Sequence, residues 1–134
     1  MDLLVNIDVP DLAAAERFYV EAFGLTASRR FGDGGVELTG WPAPVYLLVK
    51  APGTVGAGGE LRRYERHWSP VHLDVVVADI EAALARAVAA GARPETEIRT
   101  AAWGRIVTLA DPFGHGVCLV QFLNHGYDEI TTPA

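Results

Sequence analysis

The side chains with the clearest chemical capacity in this sequence are a histidine, an aspartate and a cysteine in its second half. His72 and Asp74 stand two residues apart, and Cys118 follows the turn sequence ADPFGHG. Histidine exchanges a proton near neutral pH, and a neighbouring carboxylate can act with it as an acid and base pair. Imidazole and thiolate also bind zinc. A hydrogen-bonding, acid-base or soft-metal role is therefore open to His72, whereas a cysteine in an apolar strand is more often a small core residue than a nucleophile.

An internal repeat predicts the elements that position these residues. The segments VNIDVPDLAAAERFYVEAFG (5–24) and LDVVVADIEAALARAVAAG (73–91) align with an offset of 68 residues, which places Asp11 over Asp79. Each segment starts with alternating apolar residues, as a strand with one buried face requires. Each continues with an aspartate suited to cap a helix, an apolar helical stripe and a terminal glycine. The repeat predicts two strand-helix units.

Extended segments separated by turn residues follow each helix, so each unit becomes a βαβββ module. We predict an α+β fold with one domain over 1–134, in which two paired βαβββ modules form a curved sheet cup. Module one spans about 3–52 and module two about 71–124. A glycine-rich linker over about 53–70 joins them, and a short tail covers 125–134. The alternation places Asn6 and Asp74 on the concave face of the cup, together with His72.

Charge and composition exclude several classes of function. The chain carries a formal net charge of −6 with one cysteine and half of its residues hydrophobic. An acidic chain is a poor match for a phosphate backbone or an anionic membrane surface, so no nucleic acid or membrane partner is expected. The single cysteine cannot form an internal disulfide. Because no signal sequence or membrane-spanning run is visible, a cytoplasmic location is expected.

The two modules, the strand-Asp-helix openings, the pair Phe18-Tyr19 and the DPFG turn (111–114) resemble the vicinal oxygen chelate superfamily. This superfamily includes glyoxalase I, extradiol dioxygenases and the bleomycin-resistance proteins. Its enzymes hold a divalent metal with ligands from the first and last strand of each module. The resemblance implies ligand positions at Leu4 and at Leu47 or Leu48 in module one, and at His72 and Cys118 in module two. Since leucine has no donor atom, no metal and no other cofactor is expected.

A small-molecule pocket is the remaining prediction. The tryptophans and Tyr46 fall at or just beyond strand ends, where flat walls could enclose a hydrophobic or aromatic ligand. The candidate ligand-binding residues are Asn6, Trp41, Tyr46, Trp68, His72, Asp74, Trp103, Arg105 and Cys118.

Two functions fit this pocket. The first is a metal-free binding protein that resembles the bleomycin-resistance type and sequesters a drug or natural product. The alternative is a glyoxalase-like lyase or isomerase, or a dioxygenase-related enzyme, with His72 and Asp74 as its catalytic residues and an unorthodox metal or none. A homodimer is expected in either case, because relatives of this kind commonly close their cups by pairing subunits.

Overall fold

A computed structural model describes residues 1–133 of the chain and confirms the two βαβββ modules. Module one consists of β1 (Val5–Val9), α1 (Leu12–Phe23), β2 (Thr26–Arg30), β3 (Gly35–Thr39) and β4 (Val45–Val49). Module two consists of β5 (Leu73–Val76), α2 (Ile80–Ala90), β6 (Arg93–Pro94), β7 (Arg99–Ala101), β8 (Gly104–Ala110) and β9 (Gly116–Phe122). The second strand of this module is split, since β6 and β7 both pair with β8. One short 3-10 helix lies between the modules at Ala57–Gly59, and a second at Gly126–Glu129 lies in the predicted tail, whose last residue is outside the described part.

The helices begin and end at the residues that the repeat indicates. Asp11 accepts a hydrogen bond from the backbone N–H of Ala14, and Asp79 accepts one from Ala82, each at 3.0 Å. These bonds satisfy amide groups that have no partner inside the helix. Each helix then ends at a glycine in the left-handed conformation. Local chemistry therefore fixes the length of both helices. Neither helix is long and apolar enough to cross a membrane, on a search of residues 1–133.

In each module the first strand pairs in parallel with the last strand. The strand order is β1-β4-β3-β2 in the first sheet and β5-β9-β8-β6 in the second, with β7 beside β8. This pairing sets Asn6 against Tyr46 and Asp74 against Cys118. Because Asn6 and Asp74 are equivalent in the repeat, Tyr46 is the structural counterpart of Cys118. The resemblance implied Leu47 or Leu48 at this position, and the pairing corrects it: Leu47 faces the core and Leu48 pairs with Asp8.

The helices cover one face of the sheets, and the apolar residues of that face join into one core. The core takes residues from both modules, among them Val9 and Phe18 from module one and Ile80 and Leu119 from module two. The opposite face of each sheet, here called the open face, corresponds to the predicted concave side. It leaves large apolar side chains accessible, such as Leu4 at 54% exposure and Val76 at 58%. The sheets form a curved, unclosed cup.

Two arginines of the segment between the modules tie it to both modules. Arg62 donates to the carboxylate of Asp8 on β1 at 2.7 Å. Arg66 forms a two-bond ion pair with Glu95 in module two, with both bonds at 2.8 Å. Two guanidinium groups therefore clamp a segment whose composition indicated only a glycine-rich linker.

Candidate functional site

The DPFG turn is organised around the carboxylate of Asp111, which is 4% exposed. Its Oδ1 accepts hydrogen bonds from the backbone N–H groups of Phe113 and His115, both at 2.8 Å. Its Oδ2 accepts the hydroxyl of Tyr19 on α1 at 2.7 Å and lies 2.8 Å from Nδ1 of His115. Burial, followed by the charge of Asp111, holds the pKa of Tyr19 well above its ordinary value. Three donors and the imidazole of His115 thus surround one buried acid, which ties the turn of module two to the helix of module one.

Gly114 allows this turn to pass close to the linker. Its φ is +90°, and a Cβ atom placed on it would stand 2.5 Å from the carbonyl oxygen of Tyr64. Both the left-handed backbone and this close approach require glycine. The turn therefore holds His115 beside the segment that carries Tyr64 and Arg66.

A cavity of about 390 Å³ lies between the β1 and β5 edges of the two sheets. Its apolar wall includes Val5, Ile7, Val71, Leu73 and Val117, and its aromatic residues are Tyr19 and Trp41. Polar groups enter from Asn6, Asp8, Ser69 and three histidines, His67, His72 and His115. Of the predicted ligand-binding residues, Asn6, Trp41 and His72 line this cavity. An apolar cavity with a few polar groups is typical of a small-molecule site.

No role was predicted for His67 or His115. Tyr19 is a core residue, as its helical position indicates, and its side chain also lines the cavity. The only sequence signal for His115 is its spacing of four residues from Asp111 across a glycine turn. The bond from Tyr19 to Asp111 joins residues 92 positions apart, so only the tertiary structure reveals it.

A second cluster brings together His72, Asp74 and Cys118. One donor atom from each residue lies within 4.8 Å of the donor atoms of the other two. Nε2 of His72 is 3.4 Å from the Asp74 carboxylate, and the Cys118 thiol is 3.4 Å from the hydroxyl of Thr108. Burial is the main cause that raises the pKa of the Cys118 thiol. The thiol therefore stays protonated near neutral pH and behaves as a packing group in the absence of a cation.

These residues do not fit the four-ligand metal shell of the superfamily. Leu4, the counterpart of His72, offers no donor atom. Tyr46, the counterpart of Cys118, uses its hydroxyl to donate to Glu37 at 2.6 Å. The nitrogen, oxygen and sulfur donors of the His72 cluster all belong to module two, and a set of three donors with sulfur suits zinc better than a hard cation.

Tyr46 belongs to a charged network on the open face of module one. Glu37 is nearly buried and receives two hydrogen bonds from Arg29, at 2.9 and 2.6 Å, in addition to the one from Tyr46. The Arg29 guanidinium, helped by Tyr46, lowers the pKa of Glu37 to about 2. Glu37 therefore remains ionised across the physiological pH range.

Three more of the predicted residues do not line the cavity between the sheets. Trp68 is 67% exposed, with its ring 5.7 Å from that of His72. Trp103 packs on Tyr127 with ring centroids 5.2 Å apart. Arg105 faces the helix layer and pairs through both its terminal nitrogens with Glu81 of α2. The structure therefore divides the predicted residues among the cavity, the His72 cluster and more distant positions.

Comparisons with known proteins agree with this architecture. The family described as "Glyoxalase-like domain" matches residues 4–120. An uncharacterized protein of Mycobacterium bovis is 32% identical over 124 residues, which cover 87% of this chain and 80% of that protein. A glyoxalase/bleomycin resistance protein/dioxygenase family enzyme from Burkholderia phytofirmans PsJN has a TM-score of 0.71 at 17% identity, over 92% of this chain and 100% of that one. The fosfomycin resistance protein FosX from Mesorhizobium loti has a TM-score of 0.67 at 15% identity, over 90% of this chain and 91% of that one.

The match to the Glyoxalase-like domain family over residues 4–120, together with the paired βαβββ modules, confirms that the protein belongs to the vicinal oxygen chelate superfamily. Within that superfamily, the chain belongs to the Glyoxalase-like domain family.

Proposed function

We propose that this protein is a metal-free small-molecule-binding member of its family, which sequesters a hydrophobic or aromatic compound as bleomycin-resistance-type proteins do. The observation that carries the proposal is the cavity between β1 and β5, where apolar and aromatic walls surround a few polar groups. Its volume of about 390 Å³ suits a compound of one or two rings. Asn6 and His72 supply hydrogen bonds that orient the ligand, and Trp41 supplies a flat wall.

The donor atoms in the sheets support a binding function over metal catalysis. Two of the four positions that carry metal ligands in the superfamily are Leu4 and Tyr46, and the Tyr46 hydroxyl is already bonded to Glu37. A metal that stabilises an oxyanion is the shared catalytic resource of the related enzymes. Because this chain lacks two of the four metal ligands, the apolar cavity is the feature that can recognise a small molecule.

Binding of para-nitroanisole, measured by equilibrium dialysis, tests this proposal. Val71 lines the cavity but is mostly exposed, so Val71→Trp narrows the cavity without disturbing the core. Val88→Trp is the matched control, because Val88 is an exposed residue of α2 outside the cavity. We expect Val71→Trp to weaken binding at least tenfold and Val88→Trp to leave it unchanged. Equal affinity in both variants, or no binding to the parent protein, contradicts the proposal.

The His72, Asp74 and Cys118 cluster favours a second candidate, an enzyme of the glyoxalase-like or dioxygenase-related kind that uses His72 with an unorthodox metal. Zinc would be held by these three residues and would supply Lewis-acid activation of a bound oxygen. Metal analysis distinguishes the candidates. The binding proposal expects no stoichiometric zinc, nickel, iron or manganese and no change of melting temperature on metal addition. One zinc per chain that is lost in both Asp74→Asn and Cys118→Ala supports the enzyme.

We further propose a homodimer in which the open faces of two chains meet. Leu4, Phe31, Val76 and Phe122 leave large apolar surfaces exposed in the single chain. Apolar surface of this kind on a curved sheet is stabilised when a second copy covers it. The superfamily resemblance points to the same arrangement.

A further inference from the structure

We propose that His115 is an oriented base at the wall of the cavity, and that the ligand is an aromatic compound with an acidic O–H group that donates to Nε2 of His115. This inference rests on the proposed function, because it names the class of compound that the cavity would bind. It assigns a role to a turn residue that lies outside the set of superfamily metal ligands.

The hydrogen bonds of Asp111 fix the tautomer of His115. Both oxygens of the Asp111 carboxylate already act as acceptors, Oδ1 from two backbone N–H groups and Oδ2 from the hydroxyl of Tyr19. A contact of 2.8 Å between Oδ2 and Nδ1 of His115 therefore requires the proton to be on Nδ1. In the neutral ring, the lone pair then lies on Nε2.

The position of the ring leaves Nε2 as the nitrogen available to a ligand. His115 lines the cavity and keeps about a third of its side chain accessible. Its Nδ1 is occupied by Asp111, and its Nε2 makes no hydrogen bond with the residues the structure describes. The turn geometry set by Gly114 holds the backbone of His115, so its imidazole is oriented before a ligand arrives. Preorganisation of this kind lowers the cost of ligand binding.

Transfer of the ligand proton leaves charges that the site can stabilise. The ligand O–H bond breaks, an Nε2–H bond forms, and the products are an imidazolium and a ligand oxyanion. Asp111 stabilises the imidazolium through the existing bond to Nδ1. The other ionisable groups around the ring and cavity are Tyr19 on α1, Asp8 on β1, Tyr64, Arg66 and His67 on the linker, and His72 before β5.

The walls explain why the acidic group belongs to an aromatic compound. Trp41 and Tyr19 provide flat surfaces, and Val5, Val71 and Val117 complete an apolar enclosure. A phenol places one acidic oxygen at the edge of a planar apolar ring, so it satisfies the base and the walls together. A neutral ether of the same shape satisfies only the walls.

The first test measures the tautomer without any ligand. Nitrogen-15 NMR of the histidine rings distinguishes Nδ1–H from Nε2–H in the neutral state. We expect the Nδ1–H form for His115 in the parent protein and a mixed population in Asp111→Asn, provided that variant remains folded. An Nε2–H tautomer for His115 in the parent overturns the proposal.

The second test compares para-nitrophenol with para-nitroanisole. The phenolate absorbance band reports proton transfer, and dialysis reports binding of the ether. In His115→Asn the shorter amide can still donate to Asp111, but Nε2 is gone. We expect the parent protein to produce the phenolate band at a lower pH than buffer does. His115→Asn should lose this shift, and its affinity for the phenol should fall at least fivefold more than its affinity for the ether. His125→Asn is the matched control, because His125 lies in the exposed C-terminal segment, and it should retain both properties.

The outcomes separate this inference from the proposed function. If the parent binds both compounds but His115→Asn keeps the shift and the affinity, the His115 assignment is wrong and the cavity remains a binding site. If neither compound binds the parent, both proposals fail.

Discussion

The bond between Tyr19 and Asp111 yields a quantitative expectation, because it is the buried polar contact that joins the two modules. Replacement of Tyr19 by phenylalanine removes one hydroxyl and keeps the ring. The ring packs edge-on against Phe18 with centroids 5.1 Å apart and lies near Phe23 at 5.7 Å, so apolar packing should persist. The free energy of unfolding should therefore fall only by the contribution of the hydrogen bond.

The magnitude follows from the type of acceptor. A hydrogen bond to a charged group contributes roughly 1.5–3 kcal/mol. Asp111 keeps its bonds from Phe113 and His115 in the variant, so the carboxylate is not left bare. We therefore expect the free energy of unfolding to fall by about 1.5–2 kcal/mol, near the lower end of that range. For a chain of this length the melting temperature should fall by roughly 5–8 °C.

Urea unfolding followed by circular dichroism measures this change. Tyr64→Phe is the control, because the Tyr64 hydroxyl donates to the carbonyl oxygen of Lys50 at an exposed position where water can replace it. The control should lose about 0.5 kcal/mol or less. If Tyr19→Phe is no less stable than Tyr64→Phe, the Asp111 carboxylate does not link the modules as described.

Three further expectations concern other parts of the molecule. Cys118→Ala should lower the free energy of unfolding in urea by about 1 kcal/mol, the scale of a small cavity, and should leave the para-nitroanisole affinity unchanged. A clear loss of affinity contradicts a packing role. The pKa of Glu37 is lowered from 4.5 to about 2, so its stabilisation is present above pH 4.5 and is lost as pH falls toward 2; Glu37→Gln should flatten the stability profile in this window, and an unchanged slope refutes the ion pair with Arg29. Light scattering at micromolar concentration should give a dimer that Val76→Asp converts to a monomer, whereas a monomeric parent protein refutes the pairing of open faces.

The fold was predictable because the decisive signals are local and occur twice. Asp11 and Asp79 begin the helices, Gly24 and Gly91 end them, and the repeat aligns these residues without any tertiary information. Alternating apolar residues also assigned the buried faces of β1 and β5. Short-range rules of this kind need only the chain itself.

The last-strand position of module one was not predictable from a fixed count. Asn6 and Tyr46, which pair across the first sheet, are 40 residues apart, whereas Asp74 and Cys118 in the second sheet are 44 apart. The two modules differ in the length of their intervening loops, so an offset taken from one fails in the other. Module one also lacks a DPFG turn from which to count. Only the strand register identifies Tyr46.

The residues of the cavity wall were only partly predictable from the sequence, for a different reason. Its histidines come from the linker, from the segment before β5 and from the turn before β9, and these become neighbours only when the sheet edges approach each other. Strand alternation identifies His72 from the sequence. No comparable pattern identifies His115, whose orientation depends on a carboxylate held by a tyrosine from the other module.

The two candidate functions depend on one imidazole, and this makes them competitors. His72 lines the cavity, and its Nε2 is also the nitrogen nearest to the Asp74 carboxylate in the three-donor cluster. A zinc ion bound there would occupy Nε2 and deprotonate the Cys118 thiol, since thiolate is the form that binds metals. A ligand that needs the same nitrogen as a hydrogen-bonding partner would then bind less tightly. Because linkage is reciprocal, any zinc affinity of the cluster should fall by the same factor when the cavity is filled. Binding through His115 does not carry this penalty, since its imidazole is oriented by Asp111 and is separate from the His72 cluster.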